Sequence, residues 1–109
     1  MKVYGLLGKL RAHEGKGDEL AAILLNASEL VSSADGCYIY LVNRDVSDND
    51  VIWVYEAWRT KEDHDNSLKI EGVRDLIGRA MPLLSGQPEQ GLELEVIGGK
   101  SAQNESLFE

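Results

Sequence analysis

The stretch VIWVYEAWR, at 51–59, alternates along the chain as a β-strand does, but it is apolar on both faces. Alternation places Glu56 and Trp58 on one face and Trp53 and Tyr55 on the other, each among valine, isoleucine or alanine. A strand with one buried face is apolar only at alternate positions. This pattern therefore predicts a strand that is covered on both sides.

The same criteria divide the rest of the chain into strands and helices. Two-residue spacing of apolar, β-branched and aromatic residues predicts strands, and spacing of three to four residues predicts amphipathic helices. The predicted strands are 2–11, 37–43, 51–59 and 92–97, and the predicted helical segments are 18–31, 60–70 and 73–84.

Polar residues and glycines mark the ends of these elements. Asp18 is predicted to cap the first helix, and Thr60, with Asp63 three residues later, to cap the second. Gly36 is free to adopt the positive φ that ends many helices. Gly72 interrupts the apolar pattern of the later helical segments, so we expect a bend near it.

The order of elements, βαββαβ, is that of the ferredoxin-like α+β fold, which has a four-stranded antiparallel sheet with helices on one face. The polar segment 44–50 fits this order as a hairpin connection between the second and third strands. We expect one domain over residues 1–98 and a polar tail over 99–109.

The second apolar face of the sheet predicts a homodimer. The helices cover one face only, and a large exposed apolar patch is rare on a monomer. Such a patch is its own complement about a two-fold axis. We therefore expect two copies to pack sheet to sheet as a dimeric barrel, with Leu107 and Phe108 of the tail strapped over the partner.

The net charge and the composition of the chain indicate which classes of partner to expect. The 109 residues are 43% hydrophobic and carry a formal charge of −8, which repels phosphate backbones and anionic lipid. We therefore expect no nucleic-acid or membrane partner. No apolar run is long enough for a signal peptide or a membrane span, so we expect a cytoplasmic protein. Cys37, the one cysteine, is predicted to be a small buried hydrophobe.

Three motifs carry a resemblance to a known family: YEAW at 55–58, TKEDHDNSLK at 60–69 and LIGRAMPLL at 76–84. With them the chain resembles the antibiotic biosynthesis monooxygenase family, in particular its quinol monooxygenase members, over residues 1 to about 98. The resemblance implies a dimeric α+β barrel. Some members of that family oxygenate flat phenolic or quinol substrates without metal or flavin, whereas others degrade haem, isomerise a signalling sugar phosphate, or have no known activity.

Two features depart from that family's pattern. Many members carry a histidine where this chain has Ser67, one helical turn after His64. Haem-degrading relatives place an asparagine in the first strand, where this chain has Val3, Gly5 and Leu7, which disfavours haem. No His, Cys or carboxylate pair has the spacing of metal ligands. We therefore expect neither a cofactor nor a metal.

Oxygenation without a cofactor requires the substrate itself to reduce O₂, which means removing a phenolic proton in a dry pocket. His64 is the first candidate base because imidazole titrates near neutral pH. The alternative is a solvated histidine in the first turn of a helix. Trp58 is either a flat pocket wall that stacks on an aromatic substrate or a core residue.

Glu56 is the second candidate for catalysis, because a carboxylate in an apolar strand costs free energy unless it is paired or neutral. Either it forms an ion pair with Arg59, Arg74 or Arg79, or it is a general base with a raised pKa. The other polar candidates could each orient a substrate oxygen: Tyr40, Asn66 and Ser67.

The family resemblance and these residues together suggest two functions. The first is a cofactor-independent monooxygenase acting on a small aromatic, such as a quinol or phenol, in a pocket between sheet and helices. The second is a non-catalytic, stress-related dimeric module that binds a small hydrophobic ligand. Ser67, in place of the family's histidine, motivates the second function because it leaves the expected catalytic set incomplete.

Overall fold

A four-stranded antiparallel sheet in the order β2-β3-β1-β4 forms the centre of the protein, with helices packed on one face. The computed structural model describes residues 3–87 and 89–100. Its elements are β1 (Val3–Arg11), α1 (Gly17–Val31), β2 (Cys37–Asp45), β3 (Asp48–Trp58), α2 (Lys61–Ser67), α3 (Glu71–Ala80), a 3₁₀ turn (Met81–Leu83) and β4 (Leu92–Val96). The predicted ferredoxin-like α+β fold is thereby confirmed.

The connection between β2 and β3 is shorter than the predicted segment 44–50. The strands pair as far as Asp45 and Asp48, which leaves only two residues in the turn. The Asp45 carboxylate accepts a hydrogen bond from the Ser47 amide (2.8 Å), and Asp48 accepts one from the Asp50 amide (3.0 Å). Between Ile52 and Asp48 the ladder is interrupted by a bulge in which residues 49–51 have no partners on β2, and these two carboxylates bind the backbone of the turn and of the bulge.

The first helix is capped from a strand and not by Asp18, so that prediction was wrong. Helix α1 begins at Gly17 without a local side-chain cap. The carboxylate of Asp50, on β3, instead accepts hydrogen bonds from the amides of Gly15 (3.1 Å) and Gly17 (2.9 Å). A side chain at Gly17 would collide with the carbonyl oxygen of Asn49, so glycine lets the start of the helix meet the strand.

The predicted cap of the second helix is confirmed. Thr60 accepts a hydrogen bond from the Asp63 amide at 3.0 Å, and α2 begins at the next residue. The predicted interruption between the helical segments is also present, but it falls at residues 68–70 and not at Gly72, which lies inside α3. Gly72 is instead where the Leu30 side chain of α1 packs closely on α3.

Two apolar clusters fill the space between the sheet and the helices. One surrounds Ile52 and Leu20, and the other surrounds Trp58, Val31 and Val73. Within β3, the even-numbered side chains therefore face the helices. None of the described helices has the length and apolar composition needed to cross a membrane.

The opposite side of the sheet carries a second set of large apolar side chains, which we call the open face. Strand register places these residues together: Leu7, Ile39, Leu41, Trp53, Tyr55, Leu92 and Leu94. Leu41, Leu92 and Leu94 are exposed in the single chain. The two-faced pattern predicted for β3 is therefore present. The predicted strap at Leu107 and Phe108 lies outside the described residues.

Candidate functional site

A cavity of about 190 Å³ lies between the sheet and the helices. Its walls are mainly apolar and come from α1, the α2–α3 segment and the sheet. The apolar lining residues are Leu10, Ile23, Leu24, Ala27, Val31, Leu68, Val73, Leu76, Ile77, Ala80, Met81 and Leu84. Three polar residues complete the lining: Tyr40, Glu56 and Ser67. Three of the six residues proposed from the sequence therefore meet at one cavity.

Glu56 brings a carboxylate to the sheet end of this cavity. Its position on β3 faces the helices, and its side chain is only 13% exposed. Oε1 accepts a hydrogen bond from Trp58 Nε1 at 3.0 Å and lies 3.8 Å from His64 Nε2. The ion pair expected with an arginine is not formed, because Arg59 binds Asp63 at 2.7 Å instead.

The surroundings of Glu56 shift its pKa. Burial raises the pKa of Glu56 above its ordinary value, while the hydrogen bond from Trp58 and the nearby His64 act in the opposite direction. Burial prevails because Trp58 is a neutral donor, and a distance of 3.8 Å is too long for a direct hydrogen bond. A carboxylate with a raised pKa is the better acceptor for a phenolic proton.

His64 lies behind Glu56, away from the cavity. Its imidazole is packed between the rings of Tyr4 and Trp58, with ring centroids 5.7 and 5.9 Å away. His64 Nδ1 lies 3.0 Å from the carboxylate of Asp65, which is exposed on α2. With its ring 12% exposed, His64 is not the solvated histidine of the alternative interpretation.

Trp58 is fully buried, and its indole packs with Val31 and Val73 in the core. It therefore serves as a core residue and as the hydrogen-bond donor to Glu56, and it is not the cavity wall of the first interpretation. A strand pattern gives the face of a side chain, but it does not show which helix packs over that face.

Tyr40 and Ser67 supply hydroxyl groups at the cavity. Burial, and then the nearby Glu56, raise the pKa of Tyr40 well above its usual range, so its hydroxyl remains a hydrogen-bond donor at neutral pH. The hydroxyl of Ser67, which is 4% exposed, donates to the His64 carbonyl oxygen at 2.6 Å. Asn66 is exposed and lines a different surface depression, beside Asp35 and Asp63.

Tyr4 and Asp65 are two neighbours of the site that the sequence pattern missed. Tyr4 lies opposite Trp58 in the β1–β3 register, which brings its ring against His64. Its hydroxyl donates to Glu93 at 3.0 Å, and burial together with this hydrogen bond raises the pKa of Tyr4 to about 12. The alternation of β1 put Tyr4 on one face with Leu6 and Leu10, but only the register shows its partner.

Proton movement is the chemistry that this arrangement allows. Glu56 lies between the cavity and His64, and His64 lies between Glu56 and the exposed Asp65. A proton leaving a ligand can reach solvent along these three groups after a small rotation closes the 3.8 Å gap. Within residues 3–87 and 89–100, no group of three or more His, Cys, Asp and Glu side chains could hold a metal ion.

The fold and the cavity define a ferredoxin-like α+β protein with an apolar cavity between its sheet and its helices. The profile of the antibiotic biosynthesis monooxygenase family matches residues 3–79, so the chain belongs to that family. No curated protein matches the chain.

Solved structures agree with this assignment. A Chloroflexus aurantiacus J-10-fl protein, provisionally named an antibiotic biosynthesis monooxygenase, is 38% identical, with a TM-score of 0.81 over 91% of this chain and 97% of that chain. A Caulobacter crescentus CB15 protein with the same provisional name is 18% identical, with a TM-score of 0.80 over 88% and 91%. A Nitrosomonas europaea protein, also so named, is 12% identical, with a TM-score of 0.82 over 87% and 90%. The last two show the fold alone.

Proposed function

We propose that the protein is a cofactor-independent monooxygenase that acts on a small aromatic substrate, a phenol or quinol, in the cavity between sheet and helices. The observation that supports this is an apolar cavity with Glu56 and Tyr40 together at its sheet end. Cavities of about 150 Å³ hold one benzene ring, so about 190 Å³ suits a single substituted ring.

The reaction needs a base and a donor, and the cavity has both. Glu56 accepts the phenolic proton, and the electron-rich phenolate then reduces O₂. One oxygen atom enters the ring and the other leaves as water, so hydroquinone and O₂ give hydroxybenzoquinone and water. The substrate supplies all four electrons. The Tyr40 hydroxyl donates a hydrogen bond to the oxygen on which negative charge develops.

In this proposal Glu56 and His64 carry out two successive proton transfers. Glu56 lines the cavity and takes the proton from the ligand, whereas His64, which the sequence suggested as the base itself, takes it from Glu56. Asp65 orients the imidazole through Nδ1 and lies at the surface. His64 is thus a positioning and relay residue in this proposal.

Oxygen uptake tests the proposal. Purified protein, treated with a chelator, is incubated with a panel of hydroquinones while O₂ is followed with an electrode and products by mass spectrometry. We expect uptake above the buffer rate and a product heavier by one oxygen and lighter by two hydrogens. Uptake no faster than autoxidation across the panel would rule out this substrate class.

Substitution of His64 tests the relay. His64→Asn keeps a polar side chain but cannot carry a proton, so we expect kcat to fall about 10²-fold while the affinity for a substrate analogue is unchanged. Asn66→Ala, on an exposed neighbour of the same helix, is the matched control and should keep wild-type kcat. Equal kcat values for both variants would show that Glu56 exchanges its proton without His64.

A second candidate function is the binding of a small hydrophobic ligand without turnover. Ser67 favours it, because this residue lines the cavity and its hydroxyl is already bonded to a backbone carbonyl. Native mass spectrometry after long aerobic incubation with a hydroquinone distinguishes the two functions. An unmodified ligand supports binding alone, whereas an oxygenated product supports catalysis.

A further inference from the structure

The polar residues of the cavity lining are buried or half-buried, and its exposed residues are all apolar. The polar lining residues Glu56 and Ser67 are 13% and 4% exposed. The most exposed lining residues form what we call the rim: Leu68, Ile77 and Met81, at 43%, 42% and 49% exposure.

The rim belongs to the same surface as the cavity wall. Leu68 follows the last residue of α2, Ile77 lies on α3 and Met81 begins the 3₁₀ turn, so all three come from the helix layer, and all three also line the cavity. Tyr40 and Glu56 come from the sheet on the opposite side. A ligand that contacts both ends therefore carries its polar group toward the sheet and its apolar part toward the helices.

The size of the cavity fixes how a ligand can contact both ends. About 190 Å³ holds one ring with its substituent oxygens. Nothing of a simple phenol or quinol is then left to cover three half-exposed apolar side chains. An apolar substituent that leaves the interior through the opening would cover them.

We propose that the ligand of this cavity is a phenol or quinol that bears an apolar chain, with its hydroxyl beside Glu56 and Tyr40 and its chain against the rim. This inference rests on the phenolic ligand proposed above and adds the substrate class, namely lipid-like quinols or alkylphenols. Leu68, Ile77 and Met81 are its specificity-determining residues.

Binding of a graded series of ligands tests the inference separately from turnover. Phenol, 4-propylphenol and 4-pentylphenol are titrated into the full-length protein by calorimetry. A methylene group fully removed from water strengthens binding about fourfold. The rim is half-exposed, so we expect Kd to fall about twofold per methylene between the propyl and pentyl compounds.

Rim variants locate the effect. Ile77→Gln and Met81→Gln together should reduce the dependence of Kd on chain length to less than about 1.3-fold per methylene, measured as the ratio of Kd values within each variant. Leu25→Gln, on an exposed residue of α1 outside the cavity lining, is the matched control and should behave as wild type. Leu68→Gln, in the segment between α2 and α3, provides a second variant if the double substitution lowers the melting temperature.

Several outcomes would overturn the inference. A Kd that does not change with chain length, or that rises, shows that the rim does not take the chain. A change in hydrodynamic size of the Ile77→Gln/Met81→Gln variant, without a change in chain-length dependence, assigns the rim to a second copy of the protein. Oxygen uptake with hydroquinone, together with a Kd that does not depend on chain length, would contradict this inference alone. A Kd that depends on chain length, without oxygen uptake in the presence of any quinol, would contradict the monooxygenase proposal alone.

Discussion

At Glu56, a carboxylate is held among apolar side chains by one hydrogen bond from a neutral donor, Trp58 Nε1. The nearest basic group, His64, is 3.8 Å away, and Arg59 binds Asp63. Such a site lowers the stability of the fold, because burying a charge costs more than one neutral hydrogen bond returns. A group that destabilises its own fold in this way is a candidate for function.

Glu56→Gln removes the proton acceptor but keeps the packing of the side chain. Glutamine keeps the shape and can still accept the hydrogen bond from Trp58, but it cannot take a proton. We expect kcat for hydroquinone oxygenation to fall by at least about 10²-fold, with little change in the affinity for 4-propylphenol. Glu95→Gln, on the exposed strand β4, is the control and should keep full activity. A fully active Glu56→Gln variant would show that Glu56 is not the base and would transfer that role to water.

Glu56→Gln is expected to lower kcat but to raise the stability of the fold at neutral pH. Because burial raises the pKa of Glu56 in the folded state, the folded protein binds more protons than the unfolded chain at pH values between the unfolded and folded pKa. The stability that this group contributes therefore falls as pH rises through that range. We therefore expect Glu56→Gln to melt above wild type at pH 7 to 8 and the difference to shrink toward pH 4. A difference in melting temperature that grows on acidification would contradict the raised pKa.

Single residues of the site could be recognised from sequence only where their chemistry conflicts with their surroundings. Glu56 stands out because it interrupts an apolar strand, and Tyr40 because it lies on the neighbouring strand. The positions of Trp58 and Asn66 relative to the cavity depend on how α2 and α3 pack over the sheet. That packing involves contacts between residues far apart in sequence, which periodicity does not encode.

Among the elements, α2 matters most for the site, because this seven-residue helix carries both His64 and Ser67. Isolated helices of that length are unstable in water, so its ends must be held. Thr60 caps its first turn, and Arg59 binds Asp63 through two hydrogen bonds of 2.7 and 3.0 Å. The position of His64 behind Glu56 therefore depends on contacts at the start of α2.

Thr60→Ala tests the cap. Loss of the hydroxyl leaves the Asp63 amide without its acceptor, so we expect a decrease of about 1 kcal/mol in the free energy of unfolding and faster hydrogen exchange across α2. Thr60→Ser retains the hydroxyl and is the control. Equal urea midpoints for the alanine and serine variants would show that the hydrogen bond to Asp63 contributes nothing.

Helices and strands were predicted well from sequence, but their ends were not. The number, order and type of the elements follow from periodicity, and the Thr60 cap follows from a local pattern. The start of α1 does not follow from a local pattern, because the amide of Gly17 donates to Asp50, which lies 33 residues later in the chain. The break between α2 and α3 likewise precedes Gly72, whose small size serves its packing against Leu30.

At the scale of the whole molecule, the open face predicts self-association. Its aromatic members, Trp53 and Tyr55, are already half-buried within the single chain, whereas Leu41, Leu92 and Leu94 are 51%, 61% and 45% exposed. At about 25 cal/mol per Å² of apolar surface, covering these three leucines would contribute several kcal/mol. Trp53 is also braced within the chain by a 2.9 Å hydrogen bond to Asp45 and by Lys9, which lies 5.5 Å from its ring centroid.

Leu41→Glu tests the homodimer. Leu41 lies at the centre of β2, and its side chain is 51% exposed in the single chain, so glutamate there costs the monomer little. We expect the wild type to be dimeric by light scattering at micromolar concentration and Leu41→Glu to be a folded monomer by circular dichroism. Val46→Glu, at the fully exposed turn between β2 and β3, should remain dimeric. A monomeric wild-type protein would contradict the interpretation of the open face.

A single β-sheet layer separates the cavity from the open face. On β3, even-numbered residues such as Glu56 point toward the cavity side and odd-numbered residues such as Tyr55 point toward the open face. Under the proposed function and the expected dimer, a substitution at an even-numbered position of β3 would change ligand preference, and one at an odd-numbered position would change assembly. A lineage, or a protein engineer, could then vary one property of this scaffold while leaving the residues of the other untouched.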